Sequence, residues 1–333
     1  MSTGKDSASA PRDGTPGRIQ AAGKDSASAP RGGTPDRIQA AGAGVPEVSR
    51  QFPLLFVGLV VDSTLFPPGD ATVADAVARH REHRSAWYAP LVGALLVPPD
   101  VAFATDGSLS FGVVGDRRKL DAALAYAKRP GVRRLDVTVA MRGEDPQPGV
   151  SALLRGAADA GDLEIYAEVP LTWGLSRALD DLAEARTSGV RVAAKFRVGG
   201  LAAELFPTPV ELAAVLCACR DRNLPFALAP GLYRAVRHSD AETGFTHHGF
   251  LNVLAATLAC VEGAEVAAVA ERLAGTDALS LVEAVRPQLS APRPLWTSFD
   301  ARGMTGAVGD LTSLGLLYPP EESTSQVGVS AAG

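Results

Sequence analysis

The chain is poor in cysteine and aromatic residues and has no long apolar run. Of 333 residues, three are cysteine (Cys217, Cys219, Cys260), and aromatics make up 6%. The cysteines have neither zinc spacing nor the pairing of a disulfide framework, which fits a reducing compartment. No apolar stretch approaches the ~20 residues needed to cross a bilayer. The first residues hold no apolar signal core, so neither a membrane span nor export is expected, and a cytoplasmic location is. The net charge is −5, and the arginines are scattered without interleaved aromatics. Affinity for nucleic acid or an anionic membrane is therefore not expected. The first apolar run is not followed by G-x-G-x-x-G, which argues against an open dinucleotide-binding sheet. H-E-x-x-H and H-x-x-x-H are also missing. His238, His247 and His248, with Asp240 and Glu242 nearby, are therefore not read as a metal site, and no cofactor is expected.

What is present begins with a duplication. Residues 4–22 recur as 23–41, differing only at Asp13 versus Gly32 and Gly17 versus Asp36. The unit is rich in Gly, Ser, Ala and Pro, and Ile19 and Ile38 alone cannot supply a solenoid stripe. It cannot bury enough apolar surface to offset the entropy of ordering, so 1–48 is expected to be a disordered tail. Residues 319–333 are expected to be a second flexible tail.

The chain as a whole is 46% apolar, which permits a large core between the two tails. Apolar runs at 54–63, 91–97, 109–114, 135–141, 164–169, 191–198, 225–229 and 295–299 read as strands. Helical patterns separate them at 71–84, 117–128, 148–160, 174–187, 208–222, 246–261, 264–273 and 307–315. Strands alternating with helices every 25–35 residues indicate parallel β/α units. Eight such units predict a (β/α)8 TIM-barrel-like domain over 49–318, with 295–299 as its eighth strand.

In such a barrel, inward side chains near strand C-termini face the active site. On one face of their strands lie Asp136 and Thr138, then Glu164, Tyr166 and Glu168, then Lys195 and Arg197, and finally Ser298 with Asp300 beyond it. The opposite faces are apolar. A buried ammonium is costly unless paired or neutral, so Lys195 demands an explanation. In one reading, desolvation and Arg197 lower its pKa, the amine attacks a carbonyl, and Glu168 or Asp136 moves the protons. In the other, a Lys195–Glu168 ion pair braces the barrel mouth. Arg197 with Gly199 and Gly200 would receive a phosphate or carboxylate, unless the glycines serve the turn alone. Tyr233, Arg234 and Arg237 fall where a ligand loop is expected. His247 and His248, adjacent on the expected helix, diverge by about 100°, so one faces the site and the other packs or meets solvent. Asn252, inside an apolar helix, is read as satisfying a buried backbone group.

The stretches Lys195-Phe-Arg-Val-Gly-Gly200, Phe206-Pro-Thr-Pro-Val-Glu211 and His248-Gly-Phe-Leu-Asn252, with Trp296–Leu317, resemble an uncharacterised bacterial family of barrel-like proteins. The resemblance covers 53–318 and implies the barrel. The family pattern has a further lysine on the seventh strand and two histidines after it, where this chain has Ala227 and Tyr233-Arg234. The layout is also similar to the class I aldolases of the deoxyribose-phosphate type. That similarity implies Lys195 as the Schiff-base lysine and Asp136 as the acid, with the second lysine replaced by Ala227. Three functions follow as expectations. The first is a lyase of the aldolase type acting on a small carbonyl substrate, anionic if Arg197 binds it. The second is a cofactor-independent acid–base isomerase, epimerase or cyclase, in which Glu168 and a histidine share the proton work. The third is a barrel that binds a ligand or partner without chemistry. A homodimer is expected only because such dimers are common.

Overall fold

The computed structural model describes residues 52–67, 71–101, 108–158 and 160–320. The tail expectations for 1–48 and for 321–333 lie outside them. Eight parallel strands close into a barrel: β1 (Val60–Asp62), β2 (Val92–Val97), β3 (Phe111–Asp116), β4 (Val132–Thr138), β5 (Glu164–Glu168), β6 (Val192–Phe196), β7 (Phe226–Leu228) and, after a hairpin, β10 (Trp296–Ala301). The hairpin strands are β8 (His238–Ser239) and β9 (Thr246–His247), in the connection that leaves β7. Around the barrel the order is β1-β10-β7-β6-β5-β4-β3-β2, with β2 returning to β1. Strand β10, expected at 295–299, closes the ring between β7 and β1.

The helices are α1 (Val73–Ser85), α2 (Leu120–Ala127), α3 (Gln147–Ala157), α4 (Leu175–Thr187), α5 (Pro209–Asp221), α6 (Phe250–Val261), α7 (Val266–Ala274), α8 (Ala278–Val285) and α9 (Thr305–Ser313). Local chemistry sets their starts. Thr208 caps α5, with its side chain accepting from the Glu211 N–H while Glu211 reaches back to the Thr208 N–H, and Pro209 occupies the first turn. Thr72 caps α1, its hydroxyl accepting from the Asp75 N–H and donating to the Asp75 carboxylate. Among the described residues no helix is long and apolar enough to cross a membrane.

The core lies between the barrel's outer face and the helices. Phe299 stacks on Phe250 of α6 (5.5 Å) and on Trp296 (5.9 Å). Helix α6 is buried on nearly every side because α5, α7 and α8 enclose it. Cys217 and Cys260 meet there, sulfur to sulfur at 3.8 Å.

Three expectations change. The apolar run 54–63 is not one long strand. Leu54–Phe56 is a 3-10 turn whose Leu55 and Phe56 are buried, and only Val60–Asp62 joins the sheet. Burial, not strand geometry, produced that apolar run. Arg293 fastens this turn to the entry of β10, donating to the carbonyls of Leu55 (2.5 Å), Val57 (3.2 Å), Trp296 (2.6 Å) and Thr297. The helix expected from 246 begins only at Phe250, so His247 and His248 are not on it. Gly249 is extended, and a Cβ there would come within 2.2 Å of the Ala235 carbonyl oxygen, so the chain is pressed against the preceding loop before it can coil. Helix α8 was not foreseen.

Candidate active site

Strand parity decides which side chains enter the barrel. In β4 the inward positions are Arg134 and Asp136; in β5, Tyr166; in β6, Ala193 and Lys195; in β7, Ala227; in β10, Ser298 and Asp300. Four of these carry charge and form one network. The Lys195 Nζ donates to Asp136 Oδ2 and to Asp300 Oδ2, at 2.5 Å each. Arg134 grips Asp136 through Nε (2.6 Å to Oδ1) and a terminal nitrogen (3.0 Å to Oδ2). Its other terminal nitrogen donates to Ser298 Oγ at 2.9 Å, while the one bonded to Asp136 Oδ2 lies 3.8 Å from Asp300 Oδ1. The guanidinium carbon lies over the Tyr166 ring, 3.8 Å from its centroid. All of these side chains are buried, Lys195 to 2% exposure.

Two cations and two carboxylates make the network neutral, and its electrostatics are uneven. Burial opposes the charge on Asp136, but Arg134 and then Lys195 outweigh it and hold the carboxyl below the ordinary carboxylate range. On Asp300 burial dominates. The neighbouring Asp136 adds to it, and Lys195 and Arg134 do not offset the sum, so this carboxyl lies above the ordinary range. Burial pulls Lys195 down, yet Asp136 and Asp300 hold its ammonium above the ordinary lysine range. This corrects the expected lowering. The expected helper, Arg197, is engaged elsewhere, donating to Glu168 Oε1 from Nε (3.1 Å) and a terminal nitrogen (2.7 Å).

Glu168 is level with Lys195 across β5 and β6, but its bonds go to Arg197 at the mouth. The bracing Lys195–Glu168 pair is therefore replaced by two pairs, one deep and one at the rim. Gly199 and Gly200 serve close packing. A Cβ on Gly199 would lie 2.8 Å from the Gly231 Cα, where the loops after β6 and β7 cross, and one on Gly200 would strike Leu205. Tyr233 is 40% exposed, edge-on to His247 (5.2 Å) and under the Arg302 guanidinium (5.8 Å). Arg234 points to the surface, 4.0 Å from Asp310.

His247 lies in β9, bonded to the Gly231 carbonyl (3.1 Å) and stacked on His238 (5.3 Å). His248 Nδ1 accepts from Arg237 at 3.3 Å, and its Nε2 donates to the Pro207 carbonyl at 2.8 Å. Burial, aided by Arg237, pushes His248 down to about 4. Both histidines tie the loop after β7 to its neighbours and hold no metal-type cluster. Among the described residues no three His, Cys, Asp or Glu side chains are grouped for a metal ion. Asn252 satisfies backbone as expected, accepting from the Arg237 N–H and donating to the Arg272 and Gly275 carbonyls.

Sequence reasoning missed Arg134, which shares parity with Asp136 two residues on. Starting the strand at 135 hid it, whereas β4 begins at Val132. Asp300, two residues beyond Ser298, proves to be a direct partner of Lys195.

No protein-family model and no curated protein matches the chain. Among solved structures it is similar to dihydropteroate synthase from Vibrio fischeri, at 11% identity and TM-score 0.39 over 79% of this chain and 93% of that one. It is also similar to dihydropteroate synthase from Thermus thermophilus in complex with 6HMPPP, at 16% identity and TM-score 0.37 over 80% and 99%. A third likeness is to HMG-CoA lyase from Brucella melitensis, at 15% identity and TM-score 0.35 over 79% and 92%. At these TM-scores the likenesses assign no activity. The strand order itself identifies the domain as a closed (β/α)8 barrel.

Proposed function

We propose that the barrel is a lyase of the imine-forming type, acting on a small carbonyl compound through Lys195. The observation that carries this reading is the clamp of Lys195 between two carboxylates shifted in opposite directions. Asp300, the carboxylate with the raised pKa, takes one proton from the ammonium. The network stays neutral, now with a free amine and a carboxylic acid in place of an ion pair, which low dielectric tolerates better. The amine lone pair attacks the carbonyl carbon. The carbonyl oxygen leaves as water, carrying the Asp300 proton and one from the nitrogen. The product is an iminium cation where the ammonium stood, beside two ionised carboxylates, so the cradle that stabilises the lysine cation also stabilises the intermediate. Arg197 at the mouth offers a cation to an anionic substituent.

A second reading has one observation in its favour, the upward shift of Lys195. An ammonium that keeps its protons would stabilise an enolate in an acid–base isomerase, with Glu168 moving the proton.

Borohydride reduction in the presence of small aldehydes and ketones, followed by peptide mass analysis, separates the two. The imine reading expects an adduct on Lys195, lost in Lys195→Met and slowed in Asp300→Asn. No adduct across the panel, with turnover surviving Lys195→Met, would remove it. Turnover abolished by Glu168→Gln with no adduct would establish the second reading.

A further inference from the structure

At the end of the barrel opposite the mouth, the segments that lead into β3, β4 and β5 border a groove of about 650 Å3. Arg84, Lys128, Arg129 and Arg133 line it, together with Ser110 and, among the described residues, a single carboxylate, Asp162. None of the four cations has a carboxylate within ion-pair distance among the described residues. Asp162 is 97% exposed and lies 3.8 Å from Arg191. Two of the cations are held in place by the fold. Arg84 donates to the carbonyls of Ala89 (3.2 Å) and Val92 (2.9 Å), and the Arg129 guanidinium sits 4.7 Å over the Tyr126 ring. Four cations with no described carboxylate in ion-pair distance repel each other around one concavity, in a chain whose net charge is −5. An anion that neutralises them would be drawn in and held by charge-assisted bonds.

We propose that this groove binds a small polyanion, a molecule carrying two or more linked phosphate groups. The volume suits a small molecule and not a macromolecule. Cations from two segments, Arg84 at the end of α1 and the three between Lys128 and Arg133, favour linked charges over a single one. The site is independent of the chemistry at Lys195, and its readout is binding, so either idea can fail without the other.

The test is calorimetric titration of the full chain with inorganic tripolyphosphate and, separately, orthophosphate at about 50 mM salt. Tripolyphosphate should bind at one site and more tightly than orthophosphate. Arg129→Glu/Arg133→Glu should weaken it by at least about tenfold, and the single surface change Lys128→Ala by less. Arg118→Glu, an exposed cation beyond the other end of β3, should leave the affinity within about twofold. Absence of saturable binding, several equivalent sites, or an equal loss in Arg118→Glu would each overturn the proposal. So would displacement of tripolyphosphate by a single-stranded RNA at lower concentration.

Discussion

Two arginine–carboxylate pairs occupy the same barrel under opposite conditions. Arg134 and Asp136 are 5% and 3% exposed and share their bonds with Lys195, Asp300 and Ser298. Arg197 and Glu168 are 41% and 15% exposed at the mouth and bond mainly to each other. The chemistry of the groups is alike, and the surroundings differ. Water screens the mouth pair and accepts either charge alone, whereas the deep pair has no solvent to fall back on. The deep network is consequently held together by the penalty for breaking it, and a proton can move within it without changing its net charge.

Removing a partner from the deep network should have the largest effect. Asp136→Asn leaves two buried cations facing one carboxylate, at an expected cost of about 3–5 kcal/mol in denaturant unfolding. A cost below about 1 kcal/mol would equate the deep pair with the mouth pair and undo the comparison. A buried group without a counter-charge extends it. His248 is pushed down to about 4, so its folded pKa lies below the ordinary 6.5. Its contribution is full above 6.5 and is lost as pH falls through about 4. Stability should drop by up to about 3 kcal/mol across that window, and the slope should be shallower in His248→Gln.

Lys195→Met leaves Asp136 and Asp300 against Arg134 alone. The folded pKa of Asp300 is raised, so whatever it contributes is full below its ordinary 3.8 and is lost as pH rises through the folded value. Without the lysine that loss deepens. The variant should be destabilised by about 1–3 kcal/mol, more at pH 8 than at pH 5. Glu168→Gln should cost least, about 0.2–1 kcal/mol, and less still in high salt.

Much of the barrel was legible in the chain because eight apolar runs alternate with helical patterns, and the spacing of parallel β/α units is set by chain geometry. Which side of each strand carries charge was also legible, since parity places Asp136, Lys195 and Ser298 on one face without any knowledge of neighbours. The error at β4 was one of boundary: a strand drawn three residues short leaves out Arg134. The misread helix start at 246 had a different cause. Thr246-His247-His248 carries no local signal against a helix, and it is the Ala235 carbonyl pressing on Gly249 that keeps the segment extended.

The residues alone determined the fold class, part of the inward set of polar side chains and the oddity of a lysine among them. Only the closed barrel decided that Lys195 meets Asp300 and not Glu168, because strands 105 residues apart in sequence become near neighbours when β10 joins β7 to β1. Charge pairing inside a barrel depends on ring closure and strand stagger. Neither is written in the spacing of residues along a strand.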